Sequence, residues 1–574
     1  MQILGIWDGI TGGAALLRDG KIAAAINEER LERKKMAVGF PWQSIEKVMA
    51  LSGASAPDID FVAVAQNSLY FVTEPVPFKG WFSQINRSKK YMQYLSSYAT
   101  PLLGRTQYSW TLYHKLKGML TRGRKKKIKA IIKDGYKLLC PIEFVDHHHA
   151  HACSAYFTSG FEDASVITMD GGGDGVSSRV YRVENGKFTE LTSIDSYNSL
   201  GNYYSYVTHI CGFTPQKHEG KITGLAAYGE PIYADLLKTL ICYQDGKIMN
   251  TGNVYYWSAL RKIRKLLPKN FKKEDLAASM QHVLEDVAAE YISYCIKKSG
   301  FKNVALAGGV FANVKLNQRI HELEEVESIF IHPGMTDGGL ACGATYALQA
   351  KQDLSSVPTG EKSRLKNVYL GLEYTNKEIK SALIEHGLEF EYFEEIEPEV
   401  ARLLAEGKVV ARFTGKMEYG PRALGNRSIL YQPSEPTVND WLNKKLNRTE
   451  FMPFAPATLV EYADKCYKNV KGAEYTARFM TITFECTDWM KRTCKGVVHL
   501  DGTARPQFVD EETNPGYYKI IKEFMMLTGL PSIINTSFNM HEEPIVCSPH
   551  DAVRAFMVGK LDYLAIGNYL VKNR

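Results

Sequence analysis

The chain has 574 residues, 45% hydrophobic and 23% charged, a globular balance that excludes disordered, collagenous and coiled-coil classes and predicts several folding units. No stretch reaches the ~18 uninterrupted apolar residues of a membrane helix, Asp8 and Arg18 interrupt any signal-peptide core, and ten scattered cysteines without a CxxC pair predict a reducing, cytoplasmic setting. The net charge of +7 is uneven: fifteen basic residues face one acid, Asp134, between Lys79 and Lys137, so the remainder is net acidic.

The opening ILGIWDGITGGAALLRDGKIAAAI predicts a short apolar strand, Asp8-Gly9, a glycine-bearing turn, a second strand, an Asp19-Gly20 hairpin and a third strand. Next comes the basic segment, roughly 75–138. It interleaves Arg122, Arg124, Lys125, Lys126, Lys127, Lys129 and Lys133 with aromatics such as Trp81, Tyr91, Tyr94, Tyr98, Trp110 and Tyr113. Basic plus aromatic residues suit nucleic acid, an anionic membrane or a phosphate-bearing substrate; a solvated helical insertion explains the same charge run equally well.

FVDHHHAHACSAYF follows, with His147, His148, His149 and His151 behind a predicted strand. On a helix His147 and His151 are i and i+4, so they share a face and can grip one ion. Asp337, in a TDGG turn, is the candidate third ligand. Two His and a carboxylate with open positions favour Fe(II), with zinc as the alternative.

About 160 residues after the first, the opening pattern returns in SVITMDGGGDGVSSRVYRVENGKFTEL: a strand ending at Asp170-Gly171, glycines filling the turn, then an Asn185-Gly186 hairpin. Such glycine-rich first turns let backbone N–H groups approach phosphate. This duplication resembles the actin/Hsp70-like (ASKHA) ATPase fold. VALAGGVFANVKLNQRI and IFIHPGMTDGGLACGATYAL each predict a strand, glycines and a helix. Helix N-termini behind Gly308-Gly309 would suit phosphate or ribose, although helix-on-strand packing also calls for glycine there. A polar stretch at roughly 350–366 predicts the linker to a further domain.

DHHHAHACSAY, DGGGDG, HEGKITGLAAYG, LAGGVFANVKLN and HPGMTDGGLACGA resemble the signature series of the NodU/CmcH O-carbamoyltransferase family. GKMEYGPRALGNRSIL, FMPFAPATL, HLDGTARPQF and LPSIINTSFNMHEEPIVCSPHDAVRAF extend the resemblance across almost the whole chain. It implies an α/β protein with a duplicated Kae1-like ATPase domain at 1–355, made of subdomains at about 1–160 and 161–355. A YrdC-like domain at 367–574 would follow. The reaction it implies takes carbamoyl phosphate and ATP to carbamoyl adenylate, then moves the carbamoyl group to a hydroxyl of a sugar or natural-product acceptor. The basic segment hints that this acceptor is phosphorylated or nucleotide-linked.

By the same resemblance, Asp8, Asp170, Gly171, Gly172, Gly173, Lys221, Gly224, Gly308, Gly309, Asn313 and Asn317 would line the nucleotide cleft. Lys416, Arg422, Arg427, Lys445, Arg448, Arg505, Asn535 and Ser537 would meet the carbamoyl donor, since Arg grips phosphate oxygens bidentately. His148 or His149 would take the acceptor's proton, or instead support the metal ligands by hydrogen bonds, and Lys416 and Arg422 would act on the donor. Fe(II), with Mg2+ accompanying ATP, is the implied cofactor set, and a homodimer the family-level expectation. The chain departs from the family pattern at Lys416 and Tyr419, in GKMEYGPRALG, and at Met452, where an arginine is usual. A threonylcarbamoyl-adenosine enzyme acting on tRNA is the rival reading. A non-catalytic ATP-binding regulator would need no HxxxH grip, and a kinase of this fold no arginine-rich second domain.

Overall fold

A computed structural model describes residues 1–82, 121–446 and 451–573, with 97, 98, 100–102, 109, 110, 112 and 119. Tyr91, Tyr94, Tyr113 and Arg448 lie outside the described residues. By packing the chain forms two units. Met1–Ile22, Met36–Pro41 and Ala54–Arg364 make the first; Ala23–Lys35, Trp42–Gly53 and Leu365–Arg574 make the second. Among the described residues no helix is long and apolar enough to cross a membrane.

The first unit carries two five-stranded sheets. One is built from β1 (Gln2–Trp7), β2 (Gly13–Arg18), β3 (Lys21–Asn27), β4 (Phe61–Ala65) and β5 (Ile142–Val145), in the order β3–β2–β1–β4–β5, the chain leaving the first unit within β3. The other holds β6 (Asp163–Gly173), β7 (Val176–Glu184), β8 (Lys187–Asp195), β11 (Asn303–Ala307) and β12 (Ser328–Ile331); the hairpin β9 (Cys242–Gln244) and β10 (Lys247–Met249) stands apart. Its order, β8–β7–β6–β11–β12, repeats the first sheet strand for strand. In each, an antiparallel pair (β1/β2, β6/β7) is flanked by a parallel one (β1/β4, β6/β11). This is the duplication expected from the repeated strand–glycine–strand openings, and the protein is mixed α/β.

The hairpins form where local chemistry demands. Asp19-Gly20 has φ of 48° and 77°, and Asn185-Gly186 has 48° and 81°. Both positions are left-handed, as a two-residue hairpin whose twist matches its strands requires. The DGGG stretch differs from expectation: β6 continues through the glycines to Gly173, past a register shift after Met169, and the tight turn is Asp174-Gly175. An added Cβ on Gly173 would sit 2.1 Å from His147 Cγ, so glycine there lets the strand run against the histidine helix.

That helix, His147–Ser159, is capped by Asp146, whose carboxylate accepts from His149 N at 2.9 Å, and closed by Gly160 at φ 83°. Twelve of its thirteen residues are buried, so small residues let it sit inside the unit. It packs against helix Leu340–Gln352, where a Cβ on Gly343 would stand 1.8 Å from the Ala150 carbonyl.

The second unit is built on an eight-stranded mixed sheet with β13 (Glu391–Tyr392), β14 (Val410–Phe413), β15 (Arg427–Tyr431), β16 (Ala455–Leu459), β19 (Gln507–Val509), β20 (Ser532–Ser537), β21 (Tyr563–Ile566) and β22 (Tyr569–Lys572). Its order is β13–β22–β21–β14–β15–β20–β16–β19, with the small pair β17 (Phe484–Glu485) and β18 (Thr503–Ala504) outside it. Helices Glu397–Ala405 and Pro515–Thr528 bury Val400, Leu403, Ile520 and Phe524 against Val410, Leu430, Leu459 and Ile533. Each buried aliphatic or aromatic side chain of this cluster contributes ~1.5–3 kcal/mol to the unit's stability.

The near-N-terminal residues of this unit are tied in by polar contacts. Arg33 donates to the carbonyls of Pro544 and Ile545 at 2.8 and 2.7 Å, and Arg30 to that of Gly420 at 2.7 Å. Glu28 accepts from Ser44 N at 2.7 Å.

Candidate metal centre and family

Four side chains of the first unit converge. His147 and His151 come from one face of the buried helix, Asp170 from β6 just before its glycines, and Asp337 from the turn that opens helix Leu340–Gln352. Each offers a ligand atom, and all four atoms lie within 4.8 Å of one another. His147 Nε2 is 3.6 Å from Asp170 Oδ2 and 3.8 Å from Asp337 Oδ1; His151 Nε2 is 3.4 and 3.6 Å from the same two oxygens. Ligands held ~2.1 Å from one ion stand roughly 3.0–3.5 Å apart, so these spacings fit a single first-row divalent cation. Both Nε2 atoms are buried without a hydrogen-bond partner, a costly state that an ion resolves.

The charges point the same way. Burial disfavours a charged His147 ring, but the Asp170 and Asp337 carboxylates outweigh it and raise the ring to about 9. Burial likewise opposes ionised Asp170, yet the two imidazoles hold it well below the ordinary carboxylate range. Asp337 is pushed up by burial and then by Asp170. Two carboxylates confined with two imidazoles in a buried space are a site built for a positive charge.

His147, His151 and Asp337 are thus brought together as expected, and Asp170, expected in the nucleotide cleft, joins them. A strand-end Asp beside the glycines was the available signal. His148 has both ring nitrogens engaged, Nδ1 with Thr168 Oγ1 at 2.8 Å and Nε2 with the Val176 carbonyl at 2.9 Å. Burial, then His147 and His151, lower it to about 3. This is the placement of a packing histidine, with neither nitrogen left to receive a substrate proton. His149 lies among Tyr181, Phe188 and Cys153, and burial lowers its pKa.

The other residues expected in the cleft have contacts of their own. Asp170 Oδ2 accepts from Gly309 N at 3.3 Å, and Gly308 takes φ 112° where a Cβ would strike the Met169 carbonyl. Asn313 caps helix Val314–His321, accepting from Leu316 N at 3.0 Å, and donates to Gln281 Oε1 at 2.8 Å. Asn317 donates to the Phe311 carbonyl at 2.7 Å. Lys221 and Gly224 are buried in helix Glu219–Ala226, Gly171 is half-buried and Gly172 is exposed. Asp8 is fully buried and paired with Arg124, whose Nε lies 3.0 Å from Asp8 Oδ2.

The basic segment is therefore partly structural. Arg124 and Ile128 are the buried face of helix Arg122–Ala130. Lys125 Nζ stands 4.7 Å over the Phe144 ring and donates to Asn67 Oδ1 at 2.9 Å.

In the second unit Lys416 is exposed and opens onto a cavity of about 480 Å3 lined also by Asn367, Tyr369, Glu373, Asn426 and Asn514. Arg422 and Arg505 are half-buried. Arg427 is fully buried: it donates to the carbonyls of Thr414, Gly415 and Leu372 and lies 3.8 Å over Phe413. Its role is to hold backbone, because the donors that would fork onto a phosphate are spent on carbonyls. Lys445 pairs with Asp562 at 3.1 Å, Asn535 donates to Gln507 Oε1 at 2.8 Å, and Ser537 to Asn539 Oδ1 at 2.6 Å. The sequence reading missed Glu418, whose buried Oε1 accepts from Leu424 N, Asn426 N and Arg427 N at 2.9, 2.8 and 3.1 Å and so shapes the turn that carries Arg422.

The sequence matches the family model described as carbamoyltransferase N-terminus over residues 2–346 and the one described as carbamoyltransferase C-terminus over residues 401–573. It is similar to nodulation protein NolNO of Sinorhizobium fredii, 32% identical over 98% of this chain and 79% of that one. An uncharacterized protein of Synechocystis is 32% identical over 97% of this chain and 94% of its own. Nodulation protein U of Sinorhizobium fredii is 27% identical over 69% and 72%. On these matches, with the motifs and their geometry, the chain belongs to the carbamoyltransferase family, beside the NodU-type nodulation proteins, and is a carbamoyltransferase enzyme.

Proposed function

We propose that the protein is an ATP-dependent O-carbamoyltransferase working in two steps. In the second unit, read as YrdC-like, a water molecule hydrolyses carbamoyl phosphate to carbamate and inorganic phosphate. A carbamate oxygen then attacks the α-phosphate of ATP, giving carbamoyl adenylate and pyrophosphate. Lys416, Arg422 and Arg505 offset the charge that builds on the transferring phosphates. The first unit, read as Kae1-like, binds the adenylate. There an acceptor hydroxyl attacks the carbamoyl carbon, AMP leaves, and the hydroxyl proton is lost. Adenylation makes sense chemically because carbamate itself is a poor electrophile with no good leaving group.

The observation that carries this reading is the His147–His151–Asp170–Asp337 quartet. Two imidazoles and two carboxylates suit Fe(II) or a similar divalent ion, which when bound supplies Lewis acidity toward the carbonyl or phosphate oxygens. The four side chains would hold it.

The test needs no acceptor. Protein purified anaerobically is assayed for bound metal, mixed with ATP and carbamoyl phosphate, and examined by mass spectrometry. Carbamoyl adenylate and pyrophosphate should form only when carbamoyl phosphate is present. A product that instead requires threonine and bicarbonate would replace this reading with the tRNA one.

A further inference from the structure

The loop after β4 has no counterpart among the motifs, yet it reaches the metal centre. Gln66 follows directly on Ala65, is buried, and sits at φ 66°, a left-handed backbone that costs a non-glycine residue of order 1 kcal/mol. Its Oε1 is 3.0 Å from His147 Nδ1. The amide orientation is fixed by its other end, because Nε2 donates to the Ser68 carbonyl at 3.0 Å. An amide oxygen can only accept, so His147 must carry its proton on Nδ1. Nε2 is then the nitrogen turned toward Asp170 and Asp337, the one whose lone pair a bound ion would take.

Three independent contacts hold the loop in this strained form. Arg124 Nη1 donates to the Gln66 carbonyl at 2.6 Å and Nη2 to that of Ala65 at 3.0 Å, while the same guanidinium is neutralised by buried Asp8. Asp174, in the turn after β6, accepts from Asn67 N and Ser68 N at 2.9 and 2.8 Å, and also from His147 N at 3.2 Å. One carboxylate therefore ties the loop to the first residue of the metal helix. Gln66 N closes the set by donating to the Val145 carbonyl at 2.7 Å.

We propose that Gln66 is a positioning residue of the metal centre: by accepting from His147 Nδ1 it fixes the ring and the tautomer that present Nε2 to the ion, and Arg124–Asp8 and Asp174 exist to hold it there. The inference rests on the metal reading. It gives the basic segment a task at the active centre, through Arg124, apart from any acceptor binding. Partners of this kind on a ligating imidazole are worth 10–100-fold in metal affinity.

The experiment titrates Co2+ into the apo full-length protein, reading the dissociation constant by calorimetry and the visible d–d bands by absorption. Gln66→Leu removes the acceptor with little change in volume, and Gln66→Glu restores a stronger one. The Leu variant should bind Co2+ about 10–100-fold more weakly with altered bands, keep the wild-type thermal midpoint without metal to within a few degrees, and be rescued by Glu. A folded Leu variant that binds Co2+ as wild type does, or a Glu variant no better than Leu, overturns the role of Gln66 alone. A wild-type protein that binds no Co2+ overturns the metal reading, and this inference with it.

Discussion

Replacing Asp337 by Asn separates the metal's contribution from ordinary packing, because its effect reverses with and without the ion. Without metal, two carboxylates whose oxygens lie within 4.8 Å of each other repel by ~3 kcal/mol at an effective dielectric of about 20. His147, raised to about 9, offsets part of that. Removing one charge should leave the apo protein as stable as wild type or up to about 1 kcal/mol more stable. With metal the sign changes. At a free concentration 100-fold above its dissociation constant the ion stabilises the wild type by about 2.7 kcal/mol. Loss of a direct ligand costs no less than the ~100-fold of a lost outer partner, so at that concentration the Asn variant keeps only ~0.4 kcal/mol. Calorimetric melts of both proteins, anaerobic, with chelator and then with Mn2+, check this. An Asn variant whose midpoint climbs with Mn2+ as far as that of the wild type would refute the assignment of Asp337 as a ligand.

His148→Asn should destabilise the protein by about 1–3 kcal/mol while leaving metal affinity unchanged; a variant that folds and binds metal normally but transfers no carbamoyl group would show that the ring acts on substrate after all. Glu418→Ala strips the acceptor from three buried N–H groups, so urea unfolding should show a loss of about 3 kcal/mol or more, and a change under 1 kcal/mol would remove Glu418 as the organiser of that turn. Gly343→Ala forces a Cβ onto the Ala150 carbonyl; the expected cost is about 1–3 kcal/mol together with weaker metal binding, since Ala150 shares its helix with both histidines. Lys416→Met should abolish adenylate formation in the mass-spectrometric assay and leave the Mn2+-induced rise in midpoint intact; loss of both would mean that it is needed for folding.

Much of the first unit is legible in its sequence, because the signals are local. Asp19-Gly20 and Asn185-Gly186 turn strands through left-handed backbone that few other dipeptides tolerate, and their recurrence marked the duplication that the two sheets repeat. His147 and His151 needed only a helix to share a face, and Asp146 and Gly160 delimit that helix.

Charge was harder to read. Arg124 and Arg427 sit in stretches that look cationic and available, yet one is buried on Asp8 and the other on backbone carbonyls. Composition counts a guanidinium as a charge whether or not it is solvated. Asp170 changed role for a similar reason: its neighbours in sequence are glycines suited to phosphate, but its neighbours in space are two imidazoles.

The sequence alone determined which segments turn, cap and alternate, since those preferences are settled by residues within a few positions of each other. Only the tertiary structure decided which carboxylates meet the histidines, which loop orients His147, and that residues 23–35 and 42–53 pack with the C-terminal residues. Those pairings close long loops, and their energy comes from burying groups that the sequence leaves far apart.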